Sequence, residues 1–309
     1  MGRPIAVEPL PVFSGYTLAT LMPTKLEEIV ATTRERVATA KVSADLRGLS
    51  QAAQEHQPRG FRQGLGRAAE SGIAVIAELK KASPSKGLIR GDFPVAKLAQ
   101  ELENAGAAAL SVLTNERFFQ GSLQNLEIAS QATRLPCLRK DFILDEFQLL
   151  EARALCADAV LLIVAALTQT ELANLHRRAG ELQLDVLCEV HDGVELQRAL
   201  DAGCDTIGVN NRDLHTFRVD LNTSLQLAGL MPAGVVKVAE SGIETGDDIA
   251  SLRAAGFDAF LIGESLMRAP HPGDVLRQLL NSAKAFEKRK DQPPKEAKEL
   301  SPALQRWVK

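Results

Sequence analysis

The sequence predicts an α/β protein whose main body is a (β/α)8 TIM barrel with an N-terminal helical extension. Three observations carry that prediction. Eight short runs of apolar or small residues recur from residue 73 onward. Segments with helical periodicity lie between most of them. The runs are apolar on both faces, as strands of a parallel sheet covered on both sides must be. Eight such units within roughly 200–250 residues fit a closed barrel. An open doubly wound sheet is the competing arrangement. It would carry a glycine-rich phosphate loop after its first strand, where this chain has "KKASPSKG".

The elements follow in order. Residues 1–70 form the extension. It opens on the Pro-rich "MGRPIAVEPLPVF", expected to be extended. Next, "TKLEEIVATTRERVATA" reads as an amphipathic helix with Thr24 as N-cap and apolar Leu26, Ile29, Val30 and Val37. That helix should cover one barrel end or edge the site. "GLGR", from Gly64 to Arg67, reads as a turn. The barrel occupies residues 71–285. Its strands should start near Ile73, Ala108, Pro136, Ala159, Asp185, Thr206, Val235 and Ala259. Helices such as "PVAKLAQELENAG", "DEFQLLEARALCA", "TQTELANLHRRAGEL" and "DGVELQRALDAG" connect them. Thr168, Asp192 and Thr245 are N-cap candidates, and Gly106, Gly180, Gly203 and Gly256 are C-cap candidates. Residues 286–309 form a charged tail broken by Pro293 and Pro294, with the single Trp307 near its end. A solvated, partly disordered tail is the leading reading, and a docking segment for a partner the lesser one.

Bulk properties exclude several classes. The chain has 309 residues, 36 basic and 39 acidic, for a formal charge of −3. That balance does not suit a nucleic-acid or membrane-surface binder. No apolar run approaches the roughly 18 residues a bilayer span needs. The N-terminus lacks an apolar signal core, and Gly2 lacks the downstream hydroxyl of a myristoylation site. Cys137, Cys156, Cys188 and Cys204 are scattered without CxxC spacing and read as buried or semi-buried thiols of a reducing compartment, so the expected location is cytoplasmic. The five histidines form no HxxxH or HExxH pattern, so no metal site is expected.

In such a barrel the chemistry sits at the C-terminal ends of the strands. Strand 1 ends in Glu78 and Lys80, which share the inward parity of Ala74 and Ile76. Strand 3 ends in Lys140, strand 5 in Glu189, strand 6 in Asn210 followed by Arg212, strand 7 in Glu240 and Ser241, and strand 8 in Gly263. A single charged strand end is usually a solvated terminus. So many charged or carboxamide groups on the inward parity are different, because burying unpaired charge costs several kcal/mol. They mark a polar site able to exchange protons. Lys81 and Lys237 fall on the opposite parity and are left out; Lys237 should snorkel. Gly242 and Gly263 lie in the loops after strands 7 and 8, where barrels of this type bind phosphate, and Ser83 adds a donor in loop 1.

The segments "VIAELKKASPSKG", "SVLTNERFFQGS", "LRKDFILDEFQ", "LLIVAAL", "CEVHD", "GVNNRDL", "ESGI" and "IGESLMR" together resemble the indole-3-glycerol-phosphate synthase family of tryptophan biosynthesis, over roughly residues 24 to 285. The resemblance implies a carboxy-lyase. It would close 1-(2-carboxyphenylamino)-1-deoxyribulose 5-phosphate into indole-3-glycerol phosphate, releasing CO2 and water, with no cofactor and no metal. It makes Glu78, Lys80, Lys140, Glu189, Asn210, Glu240 and Ser241 catalytic, and places Ser83, Arg212, Gly242 and Gly263 at substrate-binding positions. Lys140 suits protonation of the ketone oxygen. Lys80, Asn210 and Arg212 suit the ring carboxylate. Lys80 or Glu189 would be the acid for dehydration and Glu78 the base. Phe119 offers either an apolar floor for the aromatic substrate or plain core packing.

Departures are mild: Asn115 stands where an acidic residue is common, and Ala239 where Ser is common. Phosphoribosylanthranilate isomerase, a barrel with similar phosphate loops, is one alternative, but its Cys and Asp acid–base pair has no match at these strand ends. A catalytically inactive scaffold barrel is the other. The expected partner is a phosphorylated small molecule, with no nucleic acid and no membrane. A monomer is the working expectation, with the C-terminal tail as the segment that could dock a further protein.

Overall fold

The structure, a computed structural model, describes residues 24–290 apart from His215, and side chains as far as Phe286. The expectations for the Pro-rich start and for the tail beyond Lys290 lie outside the described residues. Three helices come first: α1 (Lys25–Ser43), α2 (Leu46–Glu55) and α3 (Phe61–Ser71). The barrel begins with β1 (Ala74–Leu79), then a small hairpin in its loop, β2 (Ala82–Ser83) with β3 (Gly87–Leu88). It continues as α4 (Val95–Asn104), β4 (Ala109–Leu113), α5 (Glu116–Phe119), α6 (Leu123–Ala132), β5 (Cys137–Lys140), α7 (Glu146–Ala154) and β6 (Ala159–Ile163). Then come α8 (Gln169–Glu181), β7 (Asp185–Val190), α9 (Gly193–Asp201), β8 (Thr206–Asn210), α10 (Asn222–Ala228) and β9 (Val236–Glu240). The last are α11 (Gly246–Ala254), β10 (Ala259–Ile262), α12 (Glu264–Arg268) and α13 (Pro272–Lys290).

Eight parallel strands close on themselves in the order β1-β10-β9-β8-β7-β6-β5-β4. Each starts within one residue of the position the apolar runs predict. Closure leaves no exposed sheet edge. It also divides the apolar side chains by parity. Val75, Ala77, Leu110, Val160 and Leu162 face the helix layer. Ala74, Ile76, Ala109, Leu138, Ala159, Leu161, Leu187, Val238 and Ala259 fill the interior. Among the described residues no helix is long and apolar enough to cross a membrane.

Cap chemistry holds at most predicted positions. Thr24, Thr168 and Thr245 each form a complete capping box, and Asp192 accepts from Glu195 N. Gly106, Gly203 and Gly256 carry φ of 97°, 83° and 98°, the left-handed residue that ends a helix. Gly180 is a correction. It sits inside α8, and the left-handed turn falls on Gln183, because Leu182 N–H still reaches the carbonyls of Arg178 and Ala179.

The larger correction is "GLGR". It is no turn but the middle of α3, whose Phe61 and Leu65 are fully buried inside the barrel. Two helix glycines cost on the order of 1 kcal/mol each against alanine. Burying Phe61 and Leu65 returns roughly 1.5–3 kcal/mol apiece, which outweighs that cost. These side chains seal the end of the barrel opposite the strand C-termini. Helix α1 takes the other end: Ile29 and Val37 are buried, and Lys25, Leu26 and Ile29 line the cavity at the mouth. Arg34, Arg36 and Lys41 anchor it to Glu171, Asp141 and Asp145.

Candidate active site

A cavity of about 950 Å³ opens at the C-terminal ends of the strands. All twelve residues selected from the sequence line it: Glu78, Lys80, Ser83, Phe119, Lys140, Glu189, Asn210, Arg212, Glu240, Ser241, Gly242 and Gly263. Lys81 does not. Its carbonyl accepts from Ile89 and Arg90 N–H in the loop hairpin. Lys237, on the outer parity, snorkels to the Ala228 carbonyl at 3.0 Å.

Lys140 is at the centre. Its Nζ lies 3.3 Å from Glu189 Oε2 and 3.3 Å from Glu240 Oε2. Asn210 Nδ2 donates to Glu189 Oε1 at 3.1 Å. Lys80 Nζ and Glu78 Oε1 form a separate pair at 2.6 Å. The backbone presents Lys140 rigidly because its neighbours are locked on the outer face. Arg139, fully buried, donates to the Gln148 carbonyl and to Asp141. Asp141 also accepts from Thr114 Oγ1 and Asn115 Nδ2. The unusual Asn115 therefore braces this segment and caps α5 through Phe118 N.

Three carboxylates and two ammonium groups share this low-dielectric space, and the proton affinities of Lys140 and the three carboxylates shift in different directions. Burial alone would push the Lys140 ammonium down, but Glu240, Glu189 and Glu78 push it well above the ordinary lysine range. Burial would raise Glu189 and Glu78. Lys140 instead holds Glu189 below its usual value, and Lys80 and Lys140 do the same for Glu78. Glu240 goes the other way. Burial, with Glu189 and Glu78 nearby, overcomes the pull of Lys140 and lifts it to about 7. Of the three carboxyls, Glu240 is therefore the one that takes up a proton most readily. Its Oε1 is buried and makes no hydrogen bond.

The other end of the cavity is lined by the loops after β9 and β10. Ser241 and Gly242 carry φ of 66° and 78°, turning successive backbone amides around the end of β9. A side chain at Gly242 would collide with Val219. One at Gly263 would reach within 2.5 Å of Glu78 Oε1, so that glycine makes room for the Glu78 carboxylate. Ser83 Oγ and Ser265 Oγ are buried and make no hydrogen bond within the protein. Lys86 and Arg212 stand 3.7 and 4.0 Å from Glu264, in the first turn of α12. Leu26, Phe119, Phe142, Leu161 and Ile163 supply the apolar lining.

Some residues in or beside the site carry no sequence signal. Gly208 faces inward on β8, where a β-carbon would strike Glu240; a lone glycine in an apolar run reads as packing. Ser265 lines the cavity two residues beyond Gly263. His191 follows Glu189 at the same parity, a repeat that could have drawn attention. Among the described residues no cluster of three or more His, Cys, Asp or Glu side chains has the geometry to hold a metal ion.

Comparison with known proteins identifies the family. The family model described as indole-3-glycerol phosphate synthase matches residues 26–279. The chain is 59% identical over 259 residues to the indole-3-glycerol phosphate synthase of Koribacter versatilis, covering 84% of this chain and all of that protein. It is 49% identical over 257 residues to the enzyme of the same name from Laribacter hongkongensis, covering 82% and 98%. A crystal structure of 3-hexulose-6-phosphate synthase superposes with a TM-score of 0.55 at 14% identity, over 68% of this chain and 99% of that one, a likeness of fold alone. The chain belongs to the indole-3-glycerol phosphate synthase family.

Proposed function

We propose that the protein is a carboxy-lyase of tryptophan biosynthesis that converts 1-(2-carboxyphenylamino)-1-deoxyribulose 5-phosphate into indole-3-glycerol phosphate, CO2 and water. The observation that carries the reading is Lys140, a buried ammonium between Glu189 and Glu240 at the base of a cavity with an apolar side. Attack of the aromatic ring carbon on the ketone puts negative charge on the carbonyl oxygen. Lys140 meets that charge and supplies the proton. Glu189 must be ionised to hold Lys140 and Asn210 in place. Lys80, Asn210 and Arg212 face the ring carboxylate until it leaves as CO2 and the ring regains aromaticity. The hydroxyl formed at the former carbonyl carbon then departs with a proton from Lys80, and Glu78 takes the proton of the neighbouring carbon. The 2.6 Å Lys80–Glu78 pair suits that acid–base couple, and an ionised Glu189 is the poorer acid. Phosphate fits the amides after Ser241 and Gly263 with Ser83 Oγ and Ser265 Oγ.

None of the four cysteines lines the cavity, which removes the isomerase's acid–base pair. A charged phosphoester substrate and four free thiols suit the cytoplasm. Purified protein incubated with the carboxyphenylamino-deoxyribulose phosphate should generate indole fluorescence. Saturating substrate with no indole product would refute the reading.

A further inference from the structure

Behind Glu189 lies a titratable side chain that the mechanism above does not use. His191 is two residues on, so period 2 returns its ring to the same side of the strand end. It is largely buried, with 14% of its side chain exposed. Its Nδ1 meets Glu195 Oε2 at 3.0 Å, and the same carboxylate oxygen accepts from His191 N at 2.8 Å. Glu195 is itself fixed, because it lies in the first turn of α9 and its N–H donates to the capping Asp192. This anchorage aims the opposite nitrogen, Nε2, at Glu189 Oε1, 3.4 Å away. Nε2 is buried and has no hydrogen-bond partner. A buried ring nitrogen held at that distance from a carboxylate, with the other nitrogen on a second carboxylate, has one favourable state. That state is the doubly protonated ring, hydrogen-bonded to Glu195 through Nδ1 and facing Glu189 as an ion pair through Nε2.

We infer that His191 is a positioning residue: held as an imidazolium between Glu195 and Glu189, it fixes the rotamer and the ionised state of Glu189, and through it the place of Lys140. The groups that meet Glu189 are then Lys140 from β5, Asn210 from β8 and His191 from its own strand end, with Glu240 of β9 and Glu78 of β1 adding negative charge nearby. Glu240 also acts on His191 from β9. Two acceptor oxygens gripped from three directions leave Glu189 little freedom. The arrangement also adds a positive charge to a cluster rich in carboxylates, which favours ionised Glu189 at neutral pH.

The inference rests on the proposed reaction for its kinetic consequence, but one arm of its test does not. Long-range 1H–15N NMR of the substrate-free protein, with the ring signals of His191 identified by their loss in His191→Gln, should show both nitrogens protonated at pH 7. Glu189→Gln and Glu195→Gln should each lower the pH at which that state is lost. A ring that titrates identically in Glu189→Gln overturns the inference, whatever the enzyme's activity. In the kinetic arm, His191→Gln should reduce kcat roughly tenfold, the equivalent of one pK unit, with KM within twofold. Its acid limb should move to higher pH, since Glu189 loses a cation. Glu195→Gln should move the limb the same way by less, and it serves alone if His191→Gln does not fold. A merely structural histidine would lower Tm and leave the acid limb in place; that outcome overturns the inference.

Discussion

Lys140 carries its charge into a place where an isolated ammonium ion would not persist. Three carboxylates make it persist, and the group that adjusts to the resulting imbalance is Glu240. Lys140→Ala should leave the protein folded and reduce turnover at least ~100-fold in the fluorescence assay, the usual scale for a general acid. Glu240→Gln tests the proton count through stability. The folded carboxyl titrates at about 7, above its ordinary value. The folded state therefore binds the extra proton, and this contribution is complete at acid pH and lost as pH rises through about 7. Glutamine keeps the neutral form at every pH. The Tm of Glu240→Gln relative to the parent should thus rise between pH 5 and pH 8, as read by calorimetry, and a constant difference would refute the raised value. At this scale the sequence was readable through parity. Glu78, Lys80, Lys140, Glu189, Asn210 and Glu240 share the inward face of their strands. Gly208 and Ser265 were not readable, because their part depends on what stands opposite them in space.

At the scale of elements, the two ends of the barrel are closed by different chemistry. Helix α3 fills the bottom with Phe61 and Leu65, while α1 lies across the mouth, held by long-range ion pairs to Glu171, Asp141 and Asp145. Phe61→Ala should cost ~3–5 kcal/mol in urea denaturation, the range for a large aromatic removed from a core. The folded fraction should keep parental turnover, since the site lies at the opposite strand ends. The strands and most caps were legible because an apolar run bounded by an N-cap and a glycine allows few other readings. Helix α3 was not. Two glycines in four residues outweigh local propensity on paper, and only the barrel interior, assembled from strands far along the chain, shows what Phe61 and Leu65 bury.

At the scale of the whole molecule, the residues proposed for catalysis and binding run from Glu78 to Ser265 and come from every quarter of the barrel. A chain ending at Lys290 should therefore keep kcat and KM within twofold in the same assay; a larger loss would assign the segment 291–309 a part in the reaction. The plugged bottom has a separate consequence. With Phe61 and Leu65 packed among Ala74, Ala159, Val238 and Ala259, the barrel is a blind well. Carbon dioxide, a water molecule and a bulky phosphorylated indole must all leave by the opening through which the substrate entered. The gas is released before the organic product, so it shares this exit with a molecule that has yet to leave. Its escape past that molecule, or its wait until the product departs, makes the traffic at a single doorway part of the enzyme's timing.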